Sequence, residues 1–408
     1  MKVMKFGGTS VGKPERMHDV ASLITSDDDN KIVVLSAVSG TTNALVTISS
    51  LLAAGDRITA KQRIDELEAQ YQTFVNALVQ TGAAQATASG ILKEHFEFLN
   101  IILKISYSEA LNKDILAQGE LLSTKLFAVY LKEKEVPHVL LPALDFMTLD
   151  ANDEPQVPVI KDKLNALLQQ HGQMKLFITQ GFICRNARGE VDNLKRGGSD
   201  YSASLIAAAI GATVCEIWTD INGMHNNDPR IVKKTVPVEQ LSFDEAAELA
   251  YFGAKILHPA SIWPAQQYKV PVTLLNTMEP SAKGTLITSK AAAKGVKAVA
   301  AKDGITAINI RSSRMLLAYG FLRKVFEIFE KYRTPIDMIT TSEVAVSVTI
   351  DQATELPAIL KELEGLGTVD VDSGQTIVSI VGHELATDSD VLRKVFQSIT
   401  VGCQFMSH

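Results

Sequence analysis

Five short stretches of this chain carry residues that can handle anions. The first is Lys5-Phe6-Gly7-Gly8-Thr9-Ser10. A lysine at the end of an apolar run, followed by two glycines, can bring a cation and bare backbone N–H groups up to a phosphate. The same residues also suit a tight strand-to-helix turn. Gly7 to Lys13 nearly spells a P-loop, but Pro14 stands where that loop needs Ser or Thr for magnesium, so the P-loop reading fails. The second stretch, Ser36-Ala37-Val38-Ser39-Gly40-Thr41-Thr42-Asn43, offers hydroxyls and backbone donors for a carboxylate, or a Ser/Thr turn capping a helix. The third, Gln118-Gly119-Glu120, reads as a helix opening. There Glu120 is either a partner for the helix dipole or a receiver for a substrate ammonium group.

The fourth stretch is Lys195-Arg196-Gly197-Gly198-Ser199-Asp200. Arginine can grip a carboxylate in a two-pronged fork, the glycines permit close approach, and Asp200 sits where a helix should begin. A cation, a glycine pair and an acid on one loop exceed what a turn requires. The fifth begins at Trp218-Thr219-Asp220, with Asn226-Asn227-Asp228-Pro229-Arg230 soon after. Then comes Phe252-Gly253-Ala254-Lys255-Ile256-Leu257-His258-Pro259, where Lys255 either snorkels to water or meets an anion in a cleft. His258, beside Pro259, reads as a structural histidine rather than a general base. No Ser-His-Asp set or metal triad is visible.

The elements that must position these residues follow from periodicity. Strands are expected at 2–6, 32–37, 139–141, 176–179 and 214–218, with helices at 14–25, 120–133 and 199–211 between them. Residues 43–118 have helical period with few breakers; Leu67, Tyr71, Phe74, Val75 and Leu78 share one face. Such alternation predicts an α/β domain with a mostly parallel sheet and its ligand loops at the carboxyl ends of the strands. Near residue 290 the pattern changes, and 289–295 reads as a linker. Beyond it lie short elements: strands at 305–310, 336–339 and 344–350, helices at 320–332 and 355–363. A strand at 376–381 and a helix at 391–399 begin the same sequence again, which suggests two copies of a small ferredoxin-like unit. The second copy is incomplete: the chain stops at His408, about 30 residues short, which would leave a strand edge exposed.

Composition narrows the function. A chain of 408 residues is long for one core, so two or three domains are expected; its 46% apolar and 21% charged content is that of a soluble globular protein. A formal net charge of -6 leaves no basic surplus for nucleic acid, though a few local cations suffice for a nucleotide. Cys184, Cys215 and Cys403 lie far apart, without zinc or disulfide spacing, and fit buried small hydrophobes in a reducing compartment. The chain runs straight into a strand, leaving no room for a signal peptide, and no apolar run approaches the ~18 residues a bilayer requires. A cytoplasmic protein with neither nucleic-acid nor membrane partner is expected.

In this order and spacing, the five stretches resemble the aspartokinases of the amino-acid kinase superfamily, over essentially the whole chain. The most specific parts are Lys5 to Ser10, Arg196 to Asp200, Trp218 to Asp220 and Phe252 to Pro259. The resemblance implies an amino-acid-kinase sandwich over 1–288 and ferredoxin-like ACT units over 296–408, the second truncated. It implies transfer of the ATP γ-phosphoryl group, with Mg2+, to the side-chain carboxylate of L-aspartate, giving 4-phospho-L-aspartate on the way to lysine, threonine and methionine. Lys5, Gly7, Gly8 and Ser10 would contact the phosphates, and Asp200 would organise Lys5 and the metal-bound nucleotide. Thr42, Glu120, Arg196 and Ser199 would bind aspartate. Thr219, Asp220, His225, Asp228, Arg230 and Lys255 would line the ATP site. Two like charges ~4 Å apart repel by roughly 4 kcal/mol at an effective dielectric of about 20, so cations at both anions are needed. A carboxylate nucleophile is already ionised and needs no general base.

The tail resembles the ACT units of lysine-sensitive members, which implies a homodimer paired through those units and an amino-acid effector, lysine ahead of threonine. Met315, Ala318, Phe321, Leu322, Asp337, Ser342 and Glu343 would form the effector pocket. Three positions depart from the family pattern: Lys195 replaces a glycine, His225 a tyrosine and Ala318 a serine. A sibling kinase for glutamate or acetylglutamate, and a catalytically silent amino-acid sensor, are the competing readings. The ACT-like tail and Trp218-Thr219-Asp220 argue against the first; joint retention of Lys5, Arg196, Asp200 and Lys255 argues against the second.

Overall fold

The computed structural model describes residues 1–194, 197–252, 257–290, 294–312 and 319–398. These fall into two compact units, 1–225 with 234–251 and 257–290, and 226–233 with Phe252, 294–312 and 319–398.

In the first unit the β-branched runs become strands: β1 (Lys2–Phe6), β2 (Lys31–Leu35), β3 (Val139–Leu141), β4 (Leu176–Gln180), β5 (Ile183–Arg185), β6 (Val191–Asn193), β7 (Cys215–Thr219), β8 (Gln240–Ser242), β9 (Val272–Asn276) and β10 (Thr285–Thr288). The helices are α1 (Pro14–Ile24), α2 (Thr41–Ala53), α3 (Arg57–Leu78), α4 (Gly82–Ile102), α5 (Glu109–Glu133), α6 (Ala143–Phe146), α7 (Val157–Gln170), α8 (Gly198–Ile210), α9 (Phe243–Phe252) and α10 (Trp263–Gln267). Eight strands form one sheet in the order β3-β4-β2-β1-β7-β9-β10-β8. Pairings are parallel except β9 with β10. β2 and β4 are buried along their whole length, as strands covered on both faces must be.

Alternation along the strands separates two faces. Met4, Phe6, Val33, Leu35 and Ile178 pack into a core with helices α1 to α5. The intervening residue Lys5 meets α8 instead. The 43–118 region is not one helical run but α2 to α4 and the first part of α5, divided at loops with side-chain caps. Asp56, Thr81 and Ser108 each accept a backbone N–H at the start of α3, α4 and α5.

Two expectations about helix starts need correction. Glu120 does not open a helix: it lies in the middle of α5, which starts at Glu109. Its neighbour Gly119 marks a close approach, since a Cβ there would stand 2.8 Å from the Ala37 side chain. The Ser36–Asn43 run does not provide a side-chain cap either; α2 follows Gly40, whose φ of +86° suits glycine.

The second unit contains β11 (Gly295–Arg311), α11 (Phe321–Lys331), β12 (Met338–Thr341), β13 (Ala345–Ile350), α12 (Leu356–Leu363), β14 (Thr368–His383) and α13 (Ser389–Ser398). Its sheet runs β12-β13-β11-β14, wholly antiparallel, the strand order of one β-α-β-β-α-β ferredoxin-like unit. Ile308, Ile310, Val325, Phe329, Val346, Val348 and Ile359 form its core. The second strand-then-helix pair is present among the described residues as the later part of β14, which runs on from 368 to 383, followed by α13; the pairing with β11 shifts register between Lys302 and Ile305. The stretches around Gly304 and Gly374 lie within this strand pair. They are facing irregularities within one long strand pair, with positive φ at both glycines and Thr376 Oγ1 donating to Asp303.

Candidate active site

Parallel register aligns four strand ends. Phe6 lies opposite Leu35 and Trp218, and Leu35 opposite Gln180. The loops leaving β1, β2, β4 and β7 therefore open on one edge, where α/β sheets receive ligands.

At the end of β1, Gly7 N–H donates to Trp218 O (3.3 Å) and Ser10 N–H to Gly7 O (2.9 Å). A Cβ on Gly7 would sit 3.2 Å from Lys5 Nζ, and one on Gly8 3.1 Å from Ala37 O, so close approach accounts for both glycines. Lys5 Nζ forms an ion pair with Asp200 Oδ1 at 2.6 Å, with side chains only 11% and 15% exposed. Asp200 occupies the first turn of α8, where the helix dipole favours a carboxylate. Gly197 precedes that helix with φ +62°, and a Cβ there would lie 2.5 Å from Ser261.

From the opposite face of the sheet, α5 brings Glu120. Its Oε1 accepts the Ala37 N–H at 3.3 Å, while Oε2 has no hydrogen-bond partner. Burial pushes this carboxyl up to about 8, because an ionised oxygen with one donor has lost most of its hydration. Ser36, next to Ala37, donates to Ser199 Oγ at 2.9 Å, one residue before Asp200. A short chain of contacts thus joins Glu120, Ala37, Ser36, Ser199, Asp200 and Lys5. A lysine beside a glycine loop (Lys5, Gly7, Gly8) and a buried acid with one unpartnered oxygen (Glu120) come together on one rim.

The structure treats the remaining expected residues unevenly. Thr42 is partly buried in the first turn of α2, beside Thr41, which bonds Tyr71 at 2.8 Å. Thr219 Oγ1 donates to Asp220 Oδ1 at 3.2 Å just past β7. His225 Nδ1 pairs with Thr235 Oγ1 at 2.8 Å, and burial lowers its pKa. Asp228 and Arg230 belong to the second unit, where the guanidinium forks onto the carboxylate and holds it below its ordinary range. His258 has the structural role expected: its Nδ1 accepts the Ala260 N–H at 3.2 Å. Arg196, Lys255, Lys195, Met315, Ala318 and Cys403 lie outside the described residues.

Among the effector candidates, Phe321 is buried at the start of α11 and Leu322 is exposed. Ser342 Oγ accepts the Ala345 N–H (3.1 Å) in the turn before β13, and Glu343 is exposed. The Asp337 side chain is 1% exposed and paired with Lys302 at 2.9 Å; the same lysine holds Asp351 at 2.9 Å.

Ser36 and Thr277 were not singled out from the sequence. Ser36 stood inside a noticed hydroxyl run. Thr277, whose Oγ1 lies 2.7 Å from Ser10 Oγ, follows β9, a strand the periodicity did not reveal.

The profile of the amino acid kinase family matches residues 1–276. Lysine-sensitive aspartokinase 3 of Escherichia coli (strain K12) is 33% identical over 406 residues, spanning 97% of this chain and 90% of that protein. A solved structure of E. coli aspartokinase III in complex with aspartate and ADP (R-state) matches with a TM-score of 0.82 and 33% identity, over 97% of this chain and 91% of that one. The lysine and aspartate complex of the same enzyme (T-state) matches with a TM-score of 0.81 and 32% identity, over 100% and 94%. This chain belongs to the amino acid kinase family and, within it, to the aspartokinases.

Proposed function

We propose that this chain transfers the γ-phosphoryl group of ATP to the side-chain carboxylate of L-aspartate, giving 4-phospho-L-aspartate, the step that opens routes to lysine, threonine and methionine. The observation that carries the reading is the pairing of opposite demands on one rim: Lys5 and Asp200 beside the Gly7-Gly8 loop, and Glu120 with a buried, unpartnered oxygen. Lys5 neutralises phosphate charge and Asp200 holds that lysine in place. Glu120 receives the substrate's α-ammonium group, Ser199 and Thr42 offer hydroxyls to its carboxylates, and Arg196 takes the role of carboxylate fork by resemblance. Thr219 and Asp220 serve the nucleotide side. Preorganised charge of this kind is the main lever in phosphoryl transfer.

The donor set fits a Mg2+ carried in on the phosphates. Asp200 supplies one carboxylate beside the glycine loop, where such an ion would be held. Such an ion would screen the negative charge that otherwise repels the attacking carboxylate.

The catalytic portion is 1–288 and the regulatory portion 296–408, working as a cytoplasmic homodimer joined through the ACT-like units. Lysine is the effector favoured, supported by the lysine-sensitive relative and by the lysine complex of E. coli aspartokinase III. A hydroxamate assay with ATP, Mg2+ and a panel of acidic amino acids tests the activity. Product with aspartate is expected; product with glutamate alone would remove the reading.

A further inference from the structure

Asn193 ends β6, six residues before Ser199. Its side chain is buried, 4% exposed, yet neither Oδ1 nor Nδ2 has a hydrogen-bond partner. A buried carboxamide unpaired at both ends is rare, because donor and acceptor alike have given up water.

Its surroundings tie it to the site. Asn193 lies opposite Ile183 in the β5–β6 hairpin, and Ile183 N–H donates to Gly181 O at 2.7 Å. A Cβ on Gly181 would stand 2.4 Å from Ser199 Oγ, so this backbone abuts the Ser199 turn. On the following residue, Leu194 N–H donates to Phe182 O, and Phe182 N–H donates to Ser202 Oγ, both at 2.8 Å. On the preceding residue, Asp192 pairs with Lys113 of α5 at 3.1 Å, fixing β6 against the helix that carries Glu120. Asn193 is therefore held between the Glu120 helix and the Ser199 loop.

We propose that Asn193 is a further substrate-binding residue: Nδ2 donates to a carboxylate of the amino-acid substrate and Oδ1 accepts from its α-ammonium group. The inference rests on reading this rim as an amino-acid site. An α-amino acid presents a donor and an acceptor on one carbon. Glu120, when ionised, can only accept, whereas a carboxamide does both without adding charge beside the phosphates.

Asn193→Leu keeps the branching and the number of side-chain heavy atoms and removes both hydrogen-bonding ends. It is expected to raise KM for aspartate about ten- to hundredfold, the worth of hydrogen bonds to charged groups, with KM for ATP unchanged and the melting temperature unchanged or higher. A purely structural asparagine would instead lower the melting temperature and spare KM. Glu120→Gln is measured alongside. If Glu120→Gln raises KM for aspartate and Asn193→Leu does not, the Asn193 assignment is overturned and the site reading stands. If neither changes it, the site reading itself is lost. Should Asn193→Leu give no cooperative melt, calorimetric titration of Asn193→Ser with aspartate decides: weakened binding supports the assignment, and unchanged binding overturns it.

Discussion

Glu120 and Asp337 are both carboxylates with almost no exposed side-chain surface, one in each unit, yet their surroundings differ. Asp337 has a resident cation, Lys302, at 2.9 Å, shared with Asp351. Glu120 has one backbone donor and an unpartnered oxygen, and its carboxyl is pushed up to about 8. A buried acid with an internal lysine has its charge countered without a ligand. One without a cation stays protonated until a positive group arrives, and an incoming ammonium group would offset the burial that disfavours its charge. The first unit is thus poised to receive a cationic group at Glu120, whereas any ammonium reaching Asp337 must share or displace Lys302.

The strongest way to break this comparison is Lys5→Ala. It removes the cation from the glycine loop and leaves Asp200 without its partner; kcat should fall about 10²- to 10³-fold, and the melting temperature should also fall because a mostly buried carboxylate loses its cation. A kcat within twofold of the parent would exclude Lys5 from the phosphate side.

Next in size is Glu120→Gln, expected to raise KM for aspartate roughly 30-fold while sparing KM for ATP. Its pH signature follows from sign. Glu120 is protonated up to about 8 rather than at its ordinary 4.5, and only the ionised form accepts an ammonium group. KM for aspartate should fall as pH rises towards 8 and level off above it, and the glutamine variant should lose that dependence. For the ligand-free protein, ionising Glu120 erodes stability as pH climbs from about 4.5 through about 8, so the variant should gain stability in that window, by thermal melts.

Lys302→Met sharpens the other half. Leaving Asp337 and Asp351 without their lysine should destabilise the protein by about 1–2 kcal/mol, discounted for the lysine's partial exposure, with kcat unchanged in the absence of effector. If lysine is the effector, its half-inhibiting concentration should fall, since an internal competitor is gone; a rise would mean that Lys302 helps to hold the effector. The smallest change is Thr277→Val. Loss of the 2.7 Å Ser10 contact should cost about 1 kcal/mol, read in KM for ATP and the melting temperature.

How much of this was legible depended on what each signal measures. β2 and β4 were readable because fully buried parallel strands are largely apolar runs. The Lys5 loop and the Ser199-Asp200 turn were readable because glycine pairs beside charged residues have few other uses. Gly119 misled: a glycine that lets α5 approach Ala37 has the same letter as one that starts a helix, and only the packing separates them. Lys302 pairing with Asp337 joins residues 35 apart, and nothing local announces it. Asn193 gave no signal, because an unpaired amide is a property of surroundings and not of spacing.

The central claim is that Glu120 receives the α-ammonium group of an aspartate whose side chain is phosphorylated beside Lys5. The most direct test is KM for aspartate from pH 6 to 9, for the parent and Glu120→Gln, in the hydroxamate assay. The account predicts a parent KM that falls towards pH 8 and a variant KM that is high and flat. Superimposable profiles for the two proteins would contradict it.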